Sequence, residues 1–143
     1  MDDLYFEIKS DDNFVRIDFL DKEDYLSNRI SDYSWLRVEI ATKAGRFSSN
    51  YIVDIYKVNL FSFYEKFAML YENLNGSAIF EDSENCFKIN ITGDGMGHFT
   101  VAVEDIDYSQ EDAVLKYSIN FDQTQLPEMI NQLNKIINKY SAV

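Results

Sequence analysis

One histidine and one cysteine limit the chemistry open to this chain of 143 residues. A thiol or hydroxyl nucleophile needs a base within hydrogen-bond reach, and His98 is the sole conventional one. Cys86 and His98 could be neighbours across adjacent strands, so that pair stays open at this point. A Ser-His-Asp arrangement meets the same bottleneck, and no G-x-S-x-G elbow is present. Zinc held by two histidines is excluded, and Cys86 with His98 supplies only two soft ligands. Gly93-Asp94-Gly95-Met96-Gly97-His98 has the glycine density of a phosphate loop. Such a loop opens a helix, whose N-terminal N–H groups meet the phosphate. Here the alternating run Phe99–Val103 follows, so a hairpin turn is expected. Carboxylates are abundant, densest at Glu81-Asp82-Ser83-Glu84 and Glu104-Asp105-Ile106-Asp107. Neither group fits the calcium loop D-x-[DN]-x-[DN]-G-x₅-E. Two facing carboxyls of the glycosidase kind are not excluded by counting, which keeps a small carboxylate-dependent enzyme as an alternative. No catalytic, cofactor-binding or metal-binding residue is assigned.

The elements that position these residues are legible in the hydrophobic period. Leu4–Lys9 and Phe14–Phe19 alternate around the turn Asp11-Asp12-Asn13 and predict an N-terminal hairpin. Asp21–Ser34 is polar and irregular, a predicted loop. In Trp35–Thr42, Leu36, Val38 and Ile40 share one face. After Ala44-Gly45 the chain returns with Phe47, Ser49, Tyr51, Val53 and Ile55 on one face. The period then turns helical: Leu60, Phe63, Phe67, Leu70, Tyr71 and Leu74 predict a helix over 60–74, with Asn59 as N-cap and Asn75-Gly76 as its stop. Ser77–Glu81, Phe87–Thr92, His98–Glu104 and Leu115–Phe121 resume the strand pattern. Leu126, Ile130, Leu133, Ile137 and Tyr140 predict a second helix over 125–139, capped by Asp122 or Thr124, with Pro127 in its first turn. The expected fold is α+β in one domain, 1–143: an antiparallel sheet of about seven to eight strands, with both helices on its apolar face.

The chain has 25 acidic and 13 basic residues, a net charge of −12. Nucleic acid is bound by neutralising its phosphates, so it is not an expected partner, nor is an anionic membrane. No apolar run approaches the ~20 residues of a membrane span, and no positive n-region with an apolar core opens the chain. A lone cysteine fits a reducing compartment, so a cytoplasmic location is expected. The acids concentrate in residues 1–25 (nine acids, three bases) and 77–122 (ten acids, two bases). Solvated loops account for such clusters, and so does a face that steers a basic partner. Glu104, Asp105, Asp107, Glu111 and Asp112 are the candidate steering residues. Trp35 is either an interface anchor or a lid on the core.

Ser34-Trp35-Leu36-Arg37-Val38-Glu39-Ile40 followed by Gly45-Arg46-Phe47 resembles the WL-x-V-x-I … G-x-F segment of WapI-type immunity proteins. Gly97-His98-Phe99-Thr100-Val101 and Tyr117-Ser118-Ile119-Asn120-Phe121-Asp122-Gln123-Thr124, leading into a terminal amphipathic helix, extend the likeness over about residues 12–140. The resemblance implies a cytoplasmic antidote that binds and blocks the toxin domain of a polymorphic bacterial toxin. Many such toxins are basic nucleases, which an acidic antidote suits. The resemblance carries over a function class and no site residues. A homodimer through the exposed sheet face or an edge strand is the remaining structural alternative.

Overall fold

The computed structural model describes residues 4–23, 35–109 and 112–141. Four strands run as an antiparallel meander, β1 (Leu4–Ser10), β2 (Asn13–Glu23), β3 (Trp35–Ala44) and β4 (Phe47–Tyr56), and lead directly into helix α1 (Lys57–Asn73). The plan then repeats: β5 (Asn75–Glu81), β6 (Phe87–Asp94), β7 (His98–Asp107) and β8 (Ala113–Asp122), a 3₁₀ turn at Gln123–Gln125, and helix α2 (Leu126–Ser141). The class is α+β, with eight antiparallel strands and two helices. The strands form two sheets of four rather than one continuous sheet. α1 is inserted between β4 and β5, and among the described residues β4 pairs only with β3 while β5 pairs only with β6. β2 continues to Glu23, past the start of the loop expected at Asp21. The rest of that expected loop, 24–34, lies outside the described residues.

Alternation decides which side of each sheet is buried. Leu36, Val38 and Ile40 of β3 are buried, as are Phe87, Ile89 and Ile91 of β6 and Phe99, Val101 and Val103 of β7. On β4 the predicted face grades from buried Ile55 to Phe47, which is 65% exposed. α1 buries Leu60, Phe63, Phe67 and Leu70, while Tyr71 is exposed. Phe63 is central: its ring meets Phe6 of β1 at 5.6 Å and Phe80 of β5 at 5.4 Å, both edge to face. One helix thus joins the two sheets through rings, and each such pair contributes about 0.5–1.5 kcal/mol beyond its burial.

The helix ends differ from the sequence reading. α1 starts at Lys57, so Tyr56 holds the N-cap position with no capping bond from its side chain, and Asn59 lies inside the first turn. The reason is continuity: β4 passes into the helix with no linker. At the other end Leu74 is the left-handed residue (φ 60), and its N–H donates to the Leu70 carbonyl at 2.8 Å. Asn75 and Gly76 already belong to β5, paired with Asp94 and Gly93. Gly93 is required there, because a Cβ would lie 2.6 Å from the Leu74 carbonyl oxygen. Asp122 caps the 3₁₀ turn that leads into α2 rather than α2 itself, accepting from the Thr124 N–H at 2.9 Å. α2 buries Leu126, Met129, Leu133, Ile136 and Tyr140, while Ile130 and Ile137 flank this stripe half-buried. Its C-terminal end is closed by Lys57, a buried residue whose Nζ donates to the Tyr140 carbonyl at 2.6 Å. A cation there satisfies an orphan carbonyl and complements the helix dipole.

Candidate functional site

Three places gather polar chemistry, and they lie on different parts of the fold. The glycine-rich segment is the β6–β7 hairpin turn, as expected. Asp94 Oδ1 accepts from the N–H groups of Met96 (2.7 Å) and His98 (3.2 Å), and its other oxygen lies 3.2 Å from His98 Nδ1. These backbone bonds, first that from Met96, hold the Asp94 carboxyl below its usual range. Gly95 and Gly97 take left-handed φ of 83° and 95° here, which glycine adopts without a Cβ clash.

Cys86 lies at the other end of the sheet, beside Ile106, whose N–H donates to the Cys86 carbonyl at 2.8 Å. From His98 to Ile106 along β7 is about 26 Å at ~3.3 Å per residue, so the two ends of the strand keep thiol and imidazole apart. Burial, then the charges of Asp82, Glu84 and Asp107, push the thiol pKa up, which disfavours a thiolate.

The second place is the seam between the sheets. Asp105 extends the buried face of Phe99, Val101 and Val103 and is itself buried, 6% exposed. This corrects its assignment as a steering residue, since its carboxylate faces the seam and not solvent. Thr42 Oγ1 of β3 donates to Asp105 Oδ2 at 3.0 Å, Ser49 Oγ of β4 lies 3.3 Å from the same oxygen, and the Tyr51 hydroxyl donates to Oδ1. Thr42 and Ser49 also bond to each other. Burial raises the Asp105 pKa against the lowering effect of the Tyr51, Thr42 and Ser49 hydroxyls. Burial, then the bond to Asp105, raises Tyr51 as well. Tyr117 of β8 stands alongside, pushed up to about 12 by burial, with Thr42 acting in the other direction. The carboxylate is met by hydroxyls, not by a second carboxyl, so this cluster binds sheet to sheet. The β5–β6 loop adds to the seam: Ser83 donates from N and Oγ to the Asp54 carbonyl at 3.0 and 2.9 Å. That loop is shaped by Asp82, a second buried carboxylate, which accepts from the N–H groups of Cys86 (2.8 Å) and Phe87 (3.0 Å).

The third place is the exposed end of sheet B, the β5–β8 sheet. Glu104 shares a cross-strand row with Glu81, Lys88 and Lys116 on the outer face. A recess of about 220 Å³ opens there, lined by Glu81, Lys88, Glu104, Ile106 and Tyr108, with Lys88 standing between the two glutamates. Asp107 and Asp112 are exposed at the β7–β8 turn. Ser109, through its side chain and its N–H at 2.9 Å, holds the Asp107 carboxyl below its usual range. Tyr108 between them is 51% exposed. Glu111 lies outside the described residues. Three predicted residues, Glu104, Asp107 and Asp112, thus gather at this end. Trp35 does not join them directly. It sits on the outer face of the first sheet, 46% exposed, its ring edge to face with Tyr56 at 5.7 Å. It is no lid on the core. Tyr56 is two residues, about 7 Å along an extended strand, from Asp54, whose carbonyl holds Ser83.

Among the described residues no group of three or more His, Cys, Asp or Glu could hold a metal ion, and no helix is long and apolar enough to cross a membrane. An immunity protein WapI-like family model matches residues 6–141, nearly the whole chain. This chain belongs to the WapI-like immunity protein family. That membership covers both halves of the fold, including the Asp105 seam and the β7–β8 end. No curated protein matches this family member closely enough to count. Among solved structures, it is similar to MRP1/MRP2 of Trypanosoma bruciei, with a TM-score of 0.55 and 10% identity over 99% of this chain and 88% of that one. It is also similar to WHY1 of Arabidopsis thaliana, with a TM-score of 0.50 and 14% identity over 98% and 85%. At these identities the likeness is one of fold.

Proposed function

We propose that this WapI-like immunity protein is a non-catalytic, stoichiometric inhibitor that binds and neutralises a cognate bacterial toxin domain in the cytoplasm. The family match over residues 6–141 carries the reading. The net charge of −12 suits a basic toxin such as a nuclease, which it would draw in over a distance set by the ionic strength. The β7–β8 end supports a role in the encounter, because Glu104, Asp107 and Asp112 stand around the half-exposed Tyr108. Charges at a rim steer association, and buried aromatic anchors hold it. Trp35 on the outer face of the first sheet is a second candidate anchor.

The experiment is co-expression with the toxin domain encoded by the neighbouring gene, followed by measurement of association rate against salt. A 1:1 complex that rescues growth is expected. The double charge reversal Asp107→Lys, Asp112→Lys should slow association at low salt and leave dissociation nearly unchanged. Absence of both rescue and complex would reject the inhibitor reading for that toxin.

A further inference from the structure

Two equivalent registers meet at the seam. In the first sheet Ile40 pairs with Tyr51, and Thr42 with Ser49. In sheet B Val103 pairs with Tyr117, and Asp105 with Leu115. Thr42 and Asp105 are the residues that cross the seam, joined at 3.0 Å. Each sheet therefore sets a tyrosine diagonally beside its crossing residue, on the same inner face. Diagonal neighbours in an antiparallel pair lie about 7–8 Å apart, a span that a long aromatic side chain covers. The two tyrosines are used differently. Tyr51 donates to Asp105 Oδ1 and so ties the first sheet to sheet B. The Tyr117 hydroxyl oxygen is buried and has no hydrogen-bond partner among the described residues. Thr42 stands near enough to lower the Tyr117 pKa, but its hydroxyl is already bonded to Asp105 and Ser49. The charge of Asp105 reaches Tyr117 as well.

A buried hydroxyl left without an acceptor costs free energy, so its place needs a reason. The reason lies in what happens when the sheets part. A carboxylate that lost Tyr51, Thr42 and Ser49 together would bear the full penalty of an unpartnered charge away from water. Tyr117 belongs to the same sheet as Asp105 and stays beside it when the first sheet moves off. We propose that Asp105 is a two-position latch: bonded to Tyr51 it holds the two sheets together, and turned to Tyr117 it is satisfied within its own sheet and lets the seam open. The latch lies two residues before Asp107, so the open position releases the β7–β8 end from the first sheet. The Ser83 N–H reports on the opening, because its acceptor, the Asp54 carbonyl at 3.0 Å, belongs to the first sheet.

The test uses the full chain with Tyr51→Phe and Tyr117→Phe, singly and together, each of which deletes one hydroxyl and keeps the ring. With Tyr51 present, Tyr117→Phe should leave the urea midpoint equal or higher, since it removes a hydroxyl that has no acceptor. In the Tyr51→Phe background the carboxylate turns to Tyr117, and the same substitution should raise the unfolding equilibrium constant roughly tenfold. Native-state hydrogen exchange gives a second measurement that needs no Tyr51 variant. In Tyr117→Phe alone, the Ser83 amide should exchange roughly tenfold more slowly relative to the amides of β6, because the open position has lost its hydroxyl donor. Equal effects of Tyr117→Phe in the two backgrounds overturn the latch. So does a Ser83 exchange rate that keeps its wild-type ratio to β6.

Discussion

Asp105→Ala removes the acceptor shared by three hydroxyls from two strands of the opposite sheet. In the wild type, Tyr51, Thr42 and Ser49 all point at this carboxylate. A buried hydroxyl left without its acceptor costs about 1–3 kcal/mol. Thr42 and Ser49 keep their bond to each other, so Tyr51 and part of the Thr42 loss dominate. The expected destabilisation is about 2–4 kcal/mol, a large fraction of the ~5–15 kcal/mol that holds a domain of this size. Asp105→Asn behaves differently, because it keeps an oxygen for Tyr51 and deletes the buried charge. The pH dependence separates the two effects. Burial raises the Asp105 pKa, so the folded state binds the proton more tightly than the unfolded chain. Its contribution is complete below the ordinary carboxyl range near 4 and is lost as pH rises through the folded value. Asp94, Asp107 and Asp122, with lowered pKa values, act in the opposite sense and are common to both proteins. The wild-type minus Asp105→Asn difference therefore isolates Asp105. Urea unfolding followed by circular dichroism from pH 4 to 8 should show Asp105→Asn gaining on the wild type as pH rises. A constant difference across that range, or an Asp105→Ala loss below ~1 kcal/mol, would refute the seam argument.

Three further outcomes follow from the packing. Phe63→Ala should cost about 3–5 kcal/mol in urea unfolding, since it empties the ring site between Phe6 and Phe80. Lys57→Ala should lower stability by about 1.5–3 kcal/mol, measured by thermal and urea melts, because the Tyr140 carbonyl loses its buried cation. Gly93→Ala should destabilise by about 1–3 kcal/mol, because its Cβ would press on the Leu74 carbonyl and the Phe99 ring, and neither can swing clear.

The period-two and helical patterns carried most of the architecture. Leu36-Val38-Ile40, Phe87-Ile89-Ile91 and Phe99-Val101-Val103 reported their buried face directly, because a strand turns its side chains alternately to either side. The same arithmetic held a signal that the residue types masked. Asp105 continues the Phe99–Val103 alternation inward, Thr42 continues Leu36–Ile40, and Asp82 follows Ala78 and Phe80. Polar residues in register with a core face are the ones a tertiary partner must satisfy. Helix ends were less legible: Asn59 and Asn75-Gly76 carry cap chemistry, yet an unbroken β4–α1 junction and the left-handed Leu74 moved both ends.

The sequence by itself determined seven to eight strands, the two helices and the sparse reactive chemistry, since each follows from local periodicity or from simple counting. Only the tertiary structure decided that the strands part into two sheets, that Asp105 faces Tyr51 across their seam, and that Lys57 closes the end of α2. Those are relations between segments tens of residues apart. Alternation shows which way a side chain points, but what it meets there is set by how the sheets and helices pack.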